Sequence, residues 1–143
     1  MMRWSIVTVA LLGVIVASLA LHEHYNTGIS PCSINDKWDC GIVNHSPYAI
    51  FGGIPVAVIG IVGYVVLGAL AWKRAWLILF PTAVVGLAFS LYLTHIEASV
   101  LEVWCVYCVI SLTVISVLTA LALGIFVWRL IERPNRRRAA SGN

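Results

Sequence analysis

Residues 105–130 read CVYCVISLTVISVLTALALGIFVWRL, and the reading of the whole chain turns on this stretch. It carries no charged side chain before Arg129. That is longer than the about 20 apolar residues a helix needs to cross a bilayer. It also opens with Cys105-Val106-Tyr107-Cys108, so a CxxC pair stands at the edge of a membrane segment. The composition agrees with a lipid environment: of 143 residues, 61 % are hydrophobic and 10 % charged, with mean hydropathy +0.96. An ordinary soluble domain has about 25 % charged residues. Too few polar side chains remain here to cover a soluble core.

Three further apolar runs extend the pattern, giving expected spans at about 4–21, 50–72, 76–94 and 105–130. None shows the polar–apolar alternation of a barrel strand. The expectation is an all-α membrane protein, a four-transmembrane-helix bundle forming a single integral membrane domain over 1–143. Residues 22–49 form its one long polar segment, a cysteine loop between the first two helices. Lys73-Arg74-Ala75 is a tight turn that makes the middle helices an antiparallel hairpin, and 95–104 is a short acidic link. With four alternating crossings, Arg3, Lys73, Arg74, Arg129, Arg133, Arg136, Arg137 and Arg138 fall on one side and Lys37 alone on the other. This asymmetry puts both termini in the cytoplasm, with 131–143 as a basic cytoplasmic tail of a cell (inner or plasma) membrane protein. The 22–49 loop and all four cysteines then face outward. The basic run is read as a membrane flank, so the lipid bilayer is an expected partner and nucleic acid is not. Residues 3–20 also resemble a signal peptide, but no clear A-x-A site follows and the helix is read as retained. Gly60, Gly63 and Gly68 are expected at helix–helix contacts, and Pro55 and Pro81 inside helices.

Cys32 and Cys40 are spaced C-x7-C in the loop, and Cys105 and Cys108 C-x2-C at a helix start. Three chemistries compete for them. Two structural disulfides suit the loop pair, yet a bridge closing so short a loop as CxxC braces little. Four thiolates could hold zinc, with His45 or His95 nearby, but C-x7-C is not a zinc-knuckle spacing and the bilayer edge gains nothing from it. Redox exchange uses both pairs: a helix N-terminus favours a thiolate on the first cysteine of CxxC, and the loop pair can shuttle electrons to it. No metal is assigned.

The order of Cys32-x7-Cys40, then Ser46, then Phe51-Gly52, then Cys105-Val-Tyr-Cys108 resembles the vitamin K epoxide reductase family, which includes bacterial and archaeal disulfide-generating enzymes. The resemblance covers about residues 4–130. DsbB-type proteins carry the two pairs in the opposite order. The resemblance implies a membrane thiol:quinone oxidoreductase that generates disulfides in a thioredoxin-fold (DsbA-like) partner. It implies four catalytic cysteines: Cys32 meets the partner, Cys40 exchanges with Cys105, and Cys108 faces a quinone of the menaquinone, ubiquinone or vitamin K type. Ser46, Tyr48, Phe51, Phe89, Tyr92 and His95 are the implied quinone-binding residues. Some relatives carry a fused thioredoxin-like domain; only 35 residues follow Cys108 here, so a separate partner is expected. Tyr48 and Leu112 stand where the vertebrate branch has an asparagine and a tyrosine, and both departures weaken the alternative of a vitamin K quinone or epoxide reductase. The remaining alternative is a non-catalytic membrane module with structural disulfides or zinc. His95 and Glu97 read as an interfacial polar pair with a possible proton-moving role, and Asn44-His45-Ser46 as a weak glycosylation match.

Overall fold

The computed structural model describes residues 2–141, with side-chain surroundings through residue 132. Helix α1 (Met2–Tyr25) leads through the cysteine loop to a short helix α2 (Cys40–Asn44). A 3-10 turn over Pro47–Ala49 and a small hairpin, β1 (Ile50–Phe51) and β2 (Ile54–Pro55), follow. Then come α3 (Val56–Trp72), α4 (Trp76–Ile96), a π-helical turn over Glu97–Leu101, and α5 (Val106–Ser141). The fold is therefore helical, as the apolar runs require.

Among the described residues three helical stretches are long and apolar enough to cross a membrane: Met2–Tyr25, Trp76–Leu101 and Val106–Glu132. The expected second span is shorter than its apolar run. Gly52 (φ 60°) and Gly53 (φ 83°) fold residues 50–55 into a hairpin, which only glycine accommodates without strain at two successive positive φ values. Pro55 consequently lies on β2 rather than inside a helix, and α3 keeps 17 residues. At 1.5 Å per residue α3 measures about 26 Å, against about 30 Å of hydrocarbon. The expected acidic link shrinks in the opposite sense: α4 and its π-helical continuation absorb it up to Leu101. Pro81 stays within α4. In the tail expected over 131–143, side chains from residue 133 onward lie outside the described residues.

Helix faces meet through small residues, because between apolar helices in lipid close approach supplies the packing energy. Ile6, Ala10, Gly13 and Ala17 are the buried stripe of α1, facing Tyr64, Leu67 and Ala71 of α3. Gly60 lies against Ala17 and Gly68 against Ala10, whereas Gly63 has open space beside it. Leu79 and Ala83 of α4 and Ile115, Leu118 and Ala122 of α5 complete the core. Large apolar side chains such as Leu11, Ile15, Val85 and Ile131 point outward.

The two ends of the bundle differ in chemistry. At one, the Arg3 guanidinium lies over the rings of Trp4 and Trp72, 5.0 and 5.5 Å from their centres, and Arg129 lies 5.6 Å from that of Trp76. Lys73 and Arg74 are exposed in the adjoining turn. The other end carries all four cysteines.

Candidate functional site

The loop that brings the cysteines together is built from short local bonds. Asp39 caps α2 by accepting the Ile42 N–H at 3.1 Å and also accepts the Ser33 hydroxyl. These bonds hold the Asp39 carboxyl below the usual carboxylate range, the Ser33 hydroxyl contributing most. The preceding strand-like residues pair with the chain just ahead of the CxxC. Trp104 donates its N–H to the Lys37 carbonyl at 2.8 Å, and Asp39 donates to the Trp104 carbonyl at 3.1 Å. The Trp38 and Trp104 rings lie 6.1 Å apart beside this bridge. Cys40 and Cys105, the residues after the two bridged segments, are thereby carried into one buried cluster.

In that cluster Cys32 and Cys40 form a disulfide, with Cα atoms 5.7 Å apart. Cys105 is a free thiol, fully buried like Cys40, and Cys108 is a half-buried free thiol. Val43, Leu101, Val103 and Tyr107 pack around them. Cys105 caps α5: its carbonyl accepts the Val109 N–H at 3.0 Å, and its own N–H donates to Glu97 Oε2 at 3.2 Å. Asn44 Nδ2 donates to the Cys40 carbonyl at 2.8 Å and approaches Cys105 Sγ at 3.7 Å. A side-chain amide and a helix N-terminus therefore both present donors to this sulfur, an environment that suits a thiolate.

Cys108 lines a cavity of about 490 Å³. Its walls come from α1, α3, α4 and α5, and the loop covers it. Ser46, Tyr48, Phe51 and Phe89 line it as well, with the two phenylalanine rings edge to face at 5.8 Å. The Ser46 hydroxyl donates to the Val43 carbonyl at 2.8 Å, so Ser46 braces the end of α2. Tyr92 and His95 do not share this placement: both are exposed and neither lines the cavity. The expected His95–Glu97 pair is also split, because Glu97 is 3 % exposed and turned inward, toward the thiols. The π-helical turn at this point changes which side chains face the bundle.

Three residues were not assigned to the thiol centre from sequence. Asn44, read only as a weak glycosylation match, has its amide buried against Cys40 and Cys105. His24 Nδ1 lies 2.6 Å from the Asn44 carbonyl and lines the same cavity. Glu97, read from sequence as an interfacial partner of His95, lies eight positions before Cys105 and turns to its N–H. At the cavity floor, the Tyr64 hydroxyl reaches the Ser111 carbonyl at 2.9 Å.

The arrangement can pass electrons between the buried loop disulfide and a thiol that opens on an apolar chamber. No curated protein is similar enough in sequence to count as a match. A family model described as the vitamin K epoxide reductase family matches residues 4–123, a stretch that includes all four cysteines, Ser46 and Phe51. The chain belongs to the vitamin K epoxide reductase family.

Proposed function

We propose that this chain oxidises a thioredoxin-fold, DsbA-like partner on the outer side of a cell membrane and delivers the electrons to a quinone. Membership of its family makes it a membrane oxidoreductase; the acceptor, the partner and the direction are this proposal. The observation that carries it is the division of labour within the CxxC: Cys105 packs against Cys40, while Cys108 lines the cavity.

The chamber fits a quinone ring. It is mostly apolar, flanked by Phe51 and Phe89, and its few polar groups include the Tyr48 hydroxyl and the Cys108 thiol. A quinone bound there supplies the oxidant, taking up two electrons and two protons to become a quinol. The chain's own steps are thiol exchanges. Starting with Cys105 and Cys108 joined, the Cys40 thiolate attacks Cys105 and releases Cys108. Cys32 then attacks Cys40, closes the Cys32–Cys40 disulfide and releases Cys105. The pairing described above, a loop disulfide beside two free thiols, corresponds to the state after this internal transfer. The partner's dithiol then reduces Cys32–Cys40 and leaves with the new disulfide.

In this reading four helices cross the bilayer, α3 being completed by the hairpin before it and by Lys73 and Arg74 reaching for the interface after it. Both termini are cytoplasmic and the cysteines face outward. The gathering of Arg3, Lys73, Arg74 and Arg129 at the opposite end supports that orientation.

The test is quinone-dependent oxidation of a reduced DsbA-like protein by the full chain in lipid nanodiscs. Cys32→Ala is expected to abolish oxidation of the partner, and Cys108→Ala to abolish quinone reduction. Full activity in both variants would overturn the reading. Turnover of an epoxide in place of quinone would favour the vitamin K reductase alternative, and tightly bound zinc without turnover a structural module.

A further inference from the structure

Glu97 is a buried carboxylate in a predominantly apolar end of a bundle. It donates nothing when ionised and accepts the Cys105 N–H at 3.2 Å, and it lines the same cavity as Cys108. No lysine or arginine lines that cavity among the described residues. A buried carboxylate without a cationic partner is costly, so its position calls for a use. Its geometry supplies one, since a single side chain is tied to the backbone of one CxxC cysteine and opens on the chamber that the other cysteine lines.

We propose that Glu97 is a catalytic residue that carries protons from the CxxC thiols to the cavity. This rests on the thiol:quinone reading above. Oxidation of the Cys105–Cys108 dithiol gives one disulfide, two electrons and two protons, and a quinone takes up all of them to form a quinol. Glu97 accepts the Cys108 proton: the S–H bond breaks, an O–H bond forms on the carboxyl, and the thiolate keeps the electron pair for transfer. The carboxyl then releases that proton into the cavity. It accepts the second proton from Cys105 as that sulfur closes the disulfide. The other titratable side chains facing the same space are His24 from α1, Tyr48 from the loop, Tyr64 from α3 and Tyr107 from α5. Among the described residues none of these bonds to either cysteine, whereas Glu97 is tied to the Cys105 N–H and opens on the cavity beside Cys108, so Glu97 is the base at the CxxC.

The test compares Glu97→Gln, Glu97→Asp and the wild-type chain in nanodiscs. Gln keeps a carbonyl oxygen for the Cys105 N–H but takes no proton. The expected result is a single-turnover rate of dithiol oxidation by a short-chain quinone about 100-fold lower in Glu97→Gln, with substantial recovery in Glu97→Asp. Infrared difference spectra between the dithiol and disulfide forms, generated without quinone by a chemical oxidant, are expected to show a carboxyl C=O band that Glu97→Gln removes. A positioning role alone would slow the reaction without that band. A Glu97→Gln rate within twofold of wild type, with Cys108→Ser inactive beside it, overturns the proposal and leaves the parent reading standing. A wild-type chain that does not reduce quinone removes both.

Discussion

Replacing Asn44 by alanine is expected to slow the internal transfer between the two cysteine pairs by about 10- to 150-fold. In the second exchange Cys105 leaves as a thiolate when Cys32 attacks Cys40. The Asn44 amide, 3.7 Å away, is a donor to that sulfur, beside the N-terminal turn of α5 and the released Cys108 thiol. The amide is buried and also holds the Cys40 carbonyl at 2.8 Å, so water does not simply replace it. A hydrogen bond to a charged acceptor contributes about 1.5–3 kcal/mol, and each 1.4 kcal/mol in a barrier is about tenfold in rate. The contact is long, which puts the expectation toward the lower end. The assay starts from protein oxidised at Cys105–Cys108, mixes it with a dithiol, and quenches it with an alkylating agent for mass mapping of the free thiols. The rate at which Cys32–Cys40 appears is the readout. Asn44→Asp, which swaps the donor for a negative charge, is expected to be slower still. If Asn44→Ala transfers within twofold of wild type, with α2 still formed, the amide has no role at the sulfur.

Three further outcomes are expected. A methyl group at Gly13 would stand 2.5–2.6 Å from Cε1 and Cγ of Tyr64, whose hydroxyl is held at Ser111, so Gly13→Ala should destabilise the bundle by about 1–3 kcal/mol in mixed-micelle unfolding, while Gly60→Ala, 3.5 Å from Ala17, should be near neutral. The Asp39 carboxyl is held low by Ser33 and Ile42, so its contribution to loop order is fully present above its unfolded value of about 4 and is lost as pH falls through the lower folded value. Hydrogen exchange at the Ile42 amide should therefore show unchanged protection from neutrality to about pH 4, loosening below it, and Asp39→Asn should remove that pH dependence. Phe51→Ala should weaken quinone binding by about 5- to 10-fold through loss of the Phe89 edge contact, read by equilibrium titration of a fluorescent quinone, with thiol exchange between the pairs unchanged.

Much of this organisation is legible in the chain because membrane helices announce themselves by length. The runs ending at Leu21 and at Trp128 carry no charged side chain, and the bilayer leaves their backbone one way to satisfy itself. The second run misled because apolarity alone does not distinguish a helix from a short hairpin; Gly52-Gly53 before Pro55 was the turn signal within it. At the site, cysteine spacing pointed to four sulfurs that the fold gathers in one cluster, and Ser46, Phe51 and Phe89 line one chamber with Cys108. Tyr92 and His95 fell outside because a helix turns about 100° per residue, and Phe89, Leu93 and Glu97 take the inward face. Asn44 was invisible as a site residue since its contact with Cys105 spans 61 positions.

The relay depends on unequal support for its four sulfurs. Cys105 and Cys108 stand at the head of α5, where the backbone is fixed by the helix and by Glu97. Cys40 stands at the head of α2, fixed by the Asp39 cap and by the two bridge bonds to Trp104. Cys32 has less: its N–H reaches only the Ser30 hydroxyl at 3.4 Å, and Ile29 and Ile34 on either side are 93 % and 70 % exposed. Thiol exchange needs the attacking sulfur to approach along the axis of the bond it breaks, so one member of the relay must move while the others hold still. The bonding assigns that motion to Cys32. In the proposed reading its exposed apolar neighbours lie where a partner protein would dock, while the bridge holds Cys40 against Cys105. Asp39→Pro removes both the N–H that Trp104 accepts and the carboxylate that caps α2, so Asp39→Asn, which keeps the N–H, is its control. The proline variant is expected to uncouple the pairs, leaving oxidation of Cys105–Cys108 by quinone intact while transfer to Cys40 fails. Equal loss of both reactions would show that the bridge supports the fold rather than the relay.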